Sequence, residues 1–312
     1  MKHYLHKGIW ARVGLIDLLI DETRKYSEKL TQGDQSIQFG LTNKEITSAL
    51  QISIISHIMM LIEDIAVFCK SIGEGKIDYY KYLDSSGDED LGQIIKKFYD
   101  NIKQASDEQI AKILSYADVN SFEIKLNEEK EIVMKIIKLM IGKSREFFER
   151  AIFFRENHIK IYRRYKHAGF PILLAQQLPP SGDVYKGYEF AALGLTSRTS
   201  LQGEIVPLPY SKKAIESYTN LKKDIFSFLG NVLNYKMICI ERKVNGLIPH
   251  KNNLFGIKIS KKEEEILDDV WKRIEIKHPI SQGQSEIGVS SQTEILRWYE
   301  EIEITSKRLF PV

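Results

Sequence analysis

Residues 128–171 read EEKEIVMKIIKLMIGKSREFFERAIFFRENHIKIYRRYKHAGFP, and this stretch decides the fold of the chain. Its apolar side chains recur every three or four residues, which is the period of an amphipathic helix. Asn127 can cap the start of that helix, and Gly169 followed by Pro171 is typical of a helix end. The pattern therefore predicts one long helix, with Gly142 as the position where it would break or bend.

The composition is that of a soluble globular protein with enough apolar residues for a large core. The chain has 312 residues, of which 43% are apolar and 28% charged. A net charge of +3 is too small to indicate a nucleic-acid partner by itself, so a basic site has to come from local clustering. The two cysteines form no CxxC pair, which favours a reduced, cytoplasmic protein and disfavours a zinc site built on thiolates.

Periodicity and capping signals divide the rest of the chain into further helices. They are predicted at about 9–30, 43–72, 89–102, 107–116 and 212–244, with two more of about 15 residues after Ser260 and Ser291. The longest uncharged run, residues 46–62, is too short and too polar to span a bilayer comfortably, so we interpret it as a buried core helix and predict no membrane segment. Short runs typical of β-strands occur at 184–195 and 204–208.

These elements predict a mainly α fold, a helical bundle with a small β-hairpin or irregular insertion. We expect residues 1–171 to form a bundle that ends in the long helix, and residues 172–210 to form the insertion. The helices of residues 211–312 are expected to pack on the same bundle.

The end of the long helix carries the clearest candidate for chemistry. Arg163 and Arg164 precede His167 by four and three residues, which places all three on neighbouring positions of one helix face. Guanidinium groups disfavour protonation of a nearby imidazole and bind phosphate in a fork geometry. A neutral histidine can then accept the proton of a ribose 2′-hydroxyl while an arginine stabilises charge on the phosphorane. The cluster predicts metal-independent RNA cleavage.

Five further residues are candidates to support that site: Asn157, His158, Tyr162, Lys166 and, on the apolar helix at 43–72, Asp64. A purely structural role stays open for these residues and for the basic residues of the helix end. His158 lies on the apolar stripe, where a hydrogen-bonded core histidine is common, and basic residues at a helix end complement its dipole. His57, Glu63 and Asp64 are the polar exceptions on that apolar helix, and His57 and Asp64 share a face. Either they lie on its one solvated edge or satisfy buried backbone groups, or one carboxylate points into a site shared with the long helix.

Neither a metal nor a cofactor is predicted. His57, Asp64 and His158 are the ligand types that a helical metal site would need, but no ExxH pair accompanies them. The chain also lacks a P-loop, a GxGxxG stretch and a GxSxG stretch.

The stretch YRRYKHAG at residues 162–169 resembles a pattern of the HEPN superfamily of helical proteins, in which an arginine and a histidine near a helix end form the site. The resemblance implies an RNA-binding protein or a metal-independent endoribonuclease of a defence or toxin–antitoxin type system. It also implies a homodimer with the helix end at the two-fold interface.

One departure from the family pattern keeps an alternative open. Three residues separate Arg163 from His167 and two separate Arg164 from it, fewer than the four to six that are usual in the superfamily. The alternative is a non-catalytic structural or partner-binding helical protein with the same fold. The sequence specifies neither an RNA target nor a partner protein.

Overall fold

The computed structural model confirms a mainly α fold with a small antiparallel hairpin. It describes residues 2–34, 37–38, 41–73, 91–116, 124, 126–168, 189–193, 204–208, 212–244 and 246–279. The helices are α1 (Lys2–Thr31), α2 (Asn43–Gly73), α3 (Leu91–Gln104), α4 (Asp107–Ile113), α5 (Asn127–Ala168), α6 (Lys212–Phe228), α7 (Asn234–Glu241) and α8 (Lys261–Lys277).

Two short antiparallel ladders accompany the helices. Strands β1 (Ile37–Gln38) and β2 (Leu41–Thr42) pair between α1 and α2. Strands β3 (Glu189–Leu193) and β4 (Glu204–Leu208) pair with Glu189 opposite Leu208, which confirms the predicted hairpin. The rest of the run predicted at 184–195 lies outside the described residues.

Capping boxes set the starts of three helices, as the sequence predicts. At α2, the backbone N–H of Thr42 donates to the Glu45 carboxylate at 2.8 Å, and Glu45 N–H donates back to the Thr42 hydroxyl at 3.3 Å. Ser106 with Gln109 and Ser260 with Glu263 make the same reciprocal pair at α4 and α8. Each box satisfies backbone donors that a helix start leaves unpaired. Ser291 and the predicted cap Ser211 lie outside the described residues.

The described chain divides into two compact units. The first contains Met1–Phe68, Tyr79–Ala105 and Arg145–Phe226, and the second contains Cys69–Asp78, Ser106–Ser144 and Ser227–Val312. Helices α2, α5 and α6 each contribute residues to both units. The boundaries at residues 171 and 210 stay predictions.

The core of the first unit forms around α2, which is apolar on nearly every side. Its segment Glu45–Ser71 is long and apolar enough to cross a membrane, but 72% of that apolar window is buried within the structure. Burial of this extent is typical of a core helix. The Tyr99 hydroxyl of α3 donates to the Ile62 carbonyl at 2.6 Å, and Phe98 packs edge-on against Phe148 of α5 at 5.9 Å.

The second unit packs a loop between α7 and α8. The indole N–H of Trp271 donates to the Pro249 carbonyl at 2.7 Å, and the Tyr235 ring stacks on His250 at 5.5 Å. The backbone N–H of His250 donates to the amide oxygen of the fully buried Asn253 at 2.6 Å. These contacts hold the loop through its backbone polar groups, which would otherwise be buried without partners.

The helix predicted at 212–244 is interrupted. It is α-helical to Phe228, π-helical over Leu229–Leu233 and α-helical again to Glu241. The turn keeps Leu229, Val232 and Leu233 buried, and it contains Gly230. A π-turn inserts one residue into the helical repeat and so rotates the side chains that follow it. An apolar pattern averaged over a period of 3.6 does not reveal such an insertion.

The long helix is confirmed as one element and does not break at Gly142, the position where the sequence would place a break: α5 runs continuously through it. A Cβ atom added there would meet nothing within 4 Å. A Cβ atom at Gly33 would also meet nothing within 4 Å, but this glycine ends α1 with a positive φ of 74°. Its N–H donates to the Leu30 carbonyl, and the Asp34 N–H donates to the Lys29 carbonyl. This is a Schellman ending, which requires the left-handed conformation.

We therefore expect alanine to have opposite effects at the two glycines. Gly142→Ala should raise the free energy of unfolding by about 0.5–1 kcal/mol, because it removes the backbone entropy cost of a helical glycine. Gly33→Ala should lower it by about 1–2 kcal/mol, because alanine is strained at positive φ. Urea unfolding followed by circular dichroism measures both. A loss of stability in Gly142→Ala would show that the helix is not continuous there.

Candidate functional site

The three predicted catalytic residues lie in the last two turns of α5, which ends at Ala168. At about 100° per residue, position 167 falls between positions 163 and 164, roughly 40° from the first and 60° from the second. The side chain of Arg163 is exposed, whereas those of Arg164 and His167 lie outside the described residues. The backbone thus brings the three positions together at one end of the helix.

Arg163 differs from the neighbouring cations of the first unit in its surroundings. Lys166 Nζ lies 3.3 Å from the Glu63 carboxylate, and Arg150 Nε lies 3.1 Å from that of Asp224. Arg163 has no carboxylate partner among the side chains that the structure describes. It therefore presents a full positive charge to the solvent at the end of α5.

Tyr162 attaches the end of α5 to α2. Its ring is 2% exposed and its hydroxyl donates to Glu63 Oε2 at 2.6 Å, while Lys166 Nζ lies over the same ring at 5.5 Å. Burial and then the Glu63 carboxylate raise the pKa of Tyr162 far above its usual value, so the phenol stays a proton donor. Glu63 is therefore a carboxylate of α2 that contacts the long helix.

Asp64, a predicted supporting residue, is paired with the first helix. Its carboxylate forms an ion pair with Arg12 of α1. Burial and then the charge of Arg12 lower the pKa of His57, which is therefore neutral at pH 7. The buried Nδ1 atom of His57 makes no hydrogen bond to any described residue. An imidazole near a guanidinium, the combination that the sequence predicts at the end of α5, is thus found between α1 and α2.

Asn157 and His158 bond to the backbone of their own helix. The Asn157 amide donates to the Phe153 carbonyl at 2.8 Å, and His158 Nδ1 lies 2.9 Å from the Phe154 carbonyl. The His158 ring stacks on Phe154 at 4.3 Å and meets Tyr218 edge-on at 6.3 Å. Burial lowers the pKa of His158. These contacts are those of a packed core histidine, two to three turns before the end of α5.

The solvent side of α5 in the first unit forms one continuous face, here called the outer face: Glu146, Glu149, Phe153, Asn157 and Lys160. All five side chains are exposed, and Phe153 is 71% exposed. Positions 164 and 167 continue this face toward the helix end, within about 40° of its centre. Arg150 and Glu156 are also exposed and flank this face at about 60° on either side of Phe153, so its turns carry both signs of charge.

The second unit contains a buried lysine without a carboxylate partner among the described side chains. Lys236 is 3% exposed, and its Nζ donates to the Ser115 hydroxyl at 2.9 Å. Ser115 adopts φ 50° and accepts the Leu247 N–H at 2.7 Å through its carbonyl. Burial lowers the pKa of Lys236 to about 8, because an apolar interior disfavours the charged amine.

No metal centre is found among the described residues, where no group of three or more His, Cys, Asp or Glu side chains is placed to hold an ion. Burial raises the pKa of Cys69 to about 12 and that of Cys239 to about 11. Thiols of this kind are poor nucleophiles and poor metal ligands, because both roles require the thiolate.

Sequence reasoning gave no site role to two of the polar residues described above, and it left open which carboxylate of the apolar helix meets the long helix. Arg12 interrupts the apolar run of the first helix, and Lys236 lies on the apolar stripe of its helix. A charged residue at an apolar position was the available signal in each case. A charge at such a position must either be paired in the folded protein or cost free energy of folding, but the sequence does not say which residue pairs with it.

We expect Tyr162 and Glu63 to be energetically coupled. Tyr162→Phe and Glu63→Gln should each lower the free energy of unfolding by about 1–2 kcal/mol, since the hydrogen bond to a carboxylate is largely buried. The double variant should lose less than the sum of the two by about 1 kcal/mol. Lys166→Met is the matched control and should cost less than about 0.5 kcal/mol, because Lys166 is exposed. Additive losses in the double-mutant cycle would contradict the coupling.

Lys236 makes stability depend on pH in a defined window. Its pKa is about 8 in the folded protein against an ordinary 10.5, so the folded state binds the proton less tightly and is destabilised by about 3 kcal/mol below pH 8. The penalty disappears as pH rises from 8 to 10.5. Lys236→Met should therefore stabilise the protein at pH 7 by roughly 1–3 kcal/mol, and this gain should shrink toward pH 10. Urea titrations of both proteins at each pH measure the difference, and a pH-independent difference would refute it.

Comparisons with protein-family models, with curated proteins and with solved structures find no match to this chain.

Proposed function

We propose that this protein is a HEPN-like RNA-binding protein that cleaves RNA without a metal ion at the end of α5. The observation that carries the proposal is the exposed charge of Arg163, which has no carboxylate partner among the described side chains, one turn before His167. An uncompensated guanidinium is suited to a phosphate, and the histidine position beside it is suited to a general base.

Each residue has a role in the proposed reaction. His167 accepts the proton of a ribose 2′-hydroxyl, whose oxygen forms a bond to the adjacent phosphorus while the bond from phosphorus to the 5′-oxygen breaks. Arg163 stabilises the charge on the phosphorane, and Arg164 binds a neighbouring phosphate. The proton returns to the 5′-oxygen, so the products carry a 2′,3′-cyclic phosphate and a 5′-hydroxyl.

The Tyr162–Glu63 hydrogen bond supports this proposal by restraining the turn that carries Arg163. A charge-stabilising group is effective when its position is set before the substrate binds, because no reorganisation is then required. Tyr162 and Lys166 are positioning residues in this proposal. The resemblance of residues 162–169 to the HEPN pattern leads us to propose a defence or toxin–antitoxin role.

The test is incubation of the full chain with mixed RNAs, with and without EDTA. We expect cleavage in the presence of EDTA, and no cleavage after a nucleotide whose ribose is replaced by 2′-deoxyribose. His167→Ala should slow cleavage by about 10²–10⁴-fold, the usual contribution of a positioned general base. Arg163→Ala should slow it more than Arg164→Ala, and should reduce the salt dependence of RNA binding by about 0.7 in the log–log slope. Lys138→Ala, an exposed cation about seven turns earlier in α5, is the matched control.

Three results would contradict the proposal in different ways. RNA that is bound but never cut would indicate a non-catalytic RNA-binding protein. RNA that is neither bound nor cut would favour the structural or partner-binding alternative. Unfolding of His167→Ala would make the histidine structural, since the proposal requires an accessible side chain whose replacement changes stability by no more than about 0.5 kcal/mol.

A further inference from the structure

Two unfavourable features of the second unit meet at one hydrogen bond. Lys236 of α7 is 3% exposed and has no carboxylate partner among the residues that the structure describes. Its Nζ atom donates to the hydroxyl oxygen of Ser115 at 2.9 Å. Ser115 has a positive φ of 50°, a backbone conformation that favours glycine. Both features cost free energy of folding, and such costs concentrate at functional sites.

The backbone holds Ser115 in a fixed position. Ser115 follows α4, and its N–H donates to the Lys112 carbonyl at 2.9 Å. Its carbonyl accepts the N–H of Leu247 at 2.7 Å. The next residue, Tyr116, donates its N–H to the Ala111 carbonyl at 2.8 Å. Ser115 is half-buried whereas Lys236 is covered, so a molecule that arrives from the solvent meets the serine first.

The surroundings of the amine are uncharged. Burial lowers the pKa of Lys236 to about 8. The other titratable groups that act on this amine are the thiols of Cys69 and Cys239, whose pKa values burial raises to about 12 and about 11, so both are neutral near pH 8. Roughly a tenth of the amine is therefore neutral at pH 7, and about nine tenths at pH 9. A neutral amine can accept a proton.

We propose that Ser115 and Lys236 form a nucleophile and base pair that accepts the acyl group of a small, uncharged carboxylic ester. Serine–lysine pairs replace the serine–histidine pair in some hydrolases. The distance of 2.9 Å between Nζ and Oγ lies within the roughly 2.6–3.2 Å that proton transfer requires. The contact of the same hydroxyl with the Lys112 carbonyl is longer, at 3.3 Å. The neutral surroundings favour an uncharged ester, since a charged acyl group would lose its hydration without gaining a partner.

The reaction has two balanced steps. First, the neutral amine of Lys236 takes the hydroxyl proton while Ser115 Oγ forms a bond to the ester carbonyl carbon. The resulting ammonium lies beside the new oxyanion, and it gives its proton to the leaving oxygen as the bond to the alcohol breaks. In the second step Lys236 takes a proton from water, whose oxygen bonds to the acyl carbon. The bond to Ser115 Oγ then breaks and the proton returns to the serine, so the products are an alcohol and a carboxylic acid.

An alkyl fluorophosphonate tests the pair, because an activated serine forms a bond to its phosphorus and releases fluoride. The full chain is treated with it, and mass spectrometry locates the modified residue. We expect an adduct at Ser115 whose rate of formation rises about tenfold from pH 7 to pH 9, as Lys236 loses its proton. Lys236→Met should slow the labelling by about 10²–10⁴-fold and abolish this rise.

Two serine variants complete the labelling experiment. Ser115→Gly removes the nucleophile and suits the positive φ, so its labelling should disappear. Ser227→Ala is the matched control and should leave the labelling of Ser115 unchanged. Ser227 is also a half-buried serine of the second unit, but its hydroxyl accepts from the Asn231 amide at 2.8 Å. Circular dichroism reports whether each variant folds. If Ser115→Gly does not fold, the more stable Lys236→Met decides the outcome.

Hydrolysis of p-nitrophenyl acetate, a small uncharged ester, tests the substrate class. Release of nitrophenolate should be lost in Ser115→Gly and Lys236→Met and retained in Ser227→Ala. Absence of an adduct at Ser115, or labelling at an equal rate in Lys236→Met, would overturn the pair. An adduct without ester hydrolysis would overturn the ester as substrate.

This inference does not depend on RNA cleavage. Ser115 and Lys236 belong to the second unit, whereas Arg163, Arg164 and His167 belong to the first. RNA cleavage measured on Ser115→Gly and Lys236→Met should equal that of the wild type. Failure of the serine–lysine pair and failure of the proposed function therefore appear in separate assays.

Discussion

Two adjacent carboxylates in an apolar core helix impose the main constraint on the first unit. Helix α2 is buried on nearly every side, and a carboxylate among such residues is costly unless it is paired or hydrogen-bonded. Asp64 meets this requirement through Arg12 of α1, and Glu63 meets it through Tyr162 and Lys166 of α5. The polar contacts that join α1 and α5 to α2 thus follow from the same pair of charges.

The need to pair Glu63 also divides the polar side chains at the end of α5 into two groups. Lys166 and Tyr162 face α2 and are engaged by Glu63. Arg163, the next residue after Tyr162, faces the solvent instead, since successive residues of a helix point about 100° apart. A structural contact on one side of the helix therefore leaves an exposed guanidinium on another.

The second unit buries a lysine among its core residues. Lys236 has one hydroxyl partner, Ser115, whose own backbone adopts a left-handed conformation that is unfavourable for a residue with a side chain. The depressed pKa of Lys236 is the electrostatic consequence of this burial. By contrast, polar groups of the loop around His250 have hydrogen-bond partners close by. Asn253 accepts from the His250 backbone, Tyr235 bonds to the His250 ring, and Trp271 donates to the Pro249 carbonyl.

The sequence by itself determined the local structure, because the interactions that set it span only a few residues. Apolar spacing predicted the extent of α5. The capping boxes at Thr42, Ser106 and Ser260 act between residues three apart. Only the tertiary structure decided which charged groups meet. Tyr162 reaches Glu63 across 99 residues, Arg12 reaches Asp64 across 52, and Lys236 reaches Ser115 across 121. Helical periodicity places each of these side chains on a face, but the partner depends on how separate helices pack, and packing responds to the summed burial of many residues rather than to any short pattern.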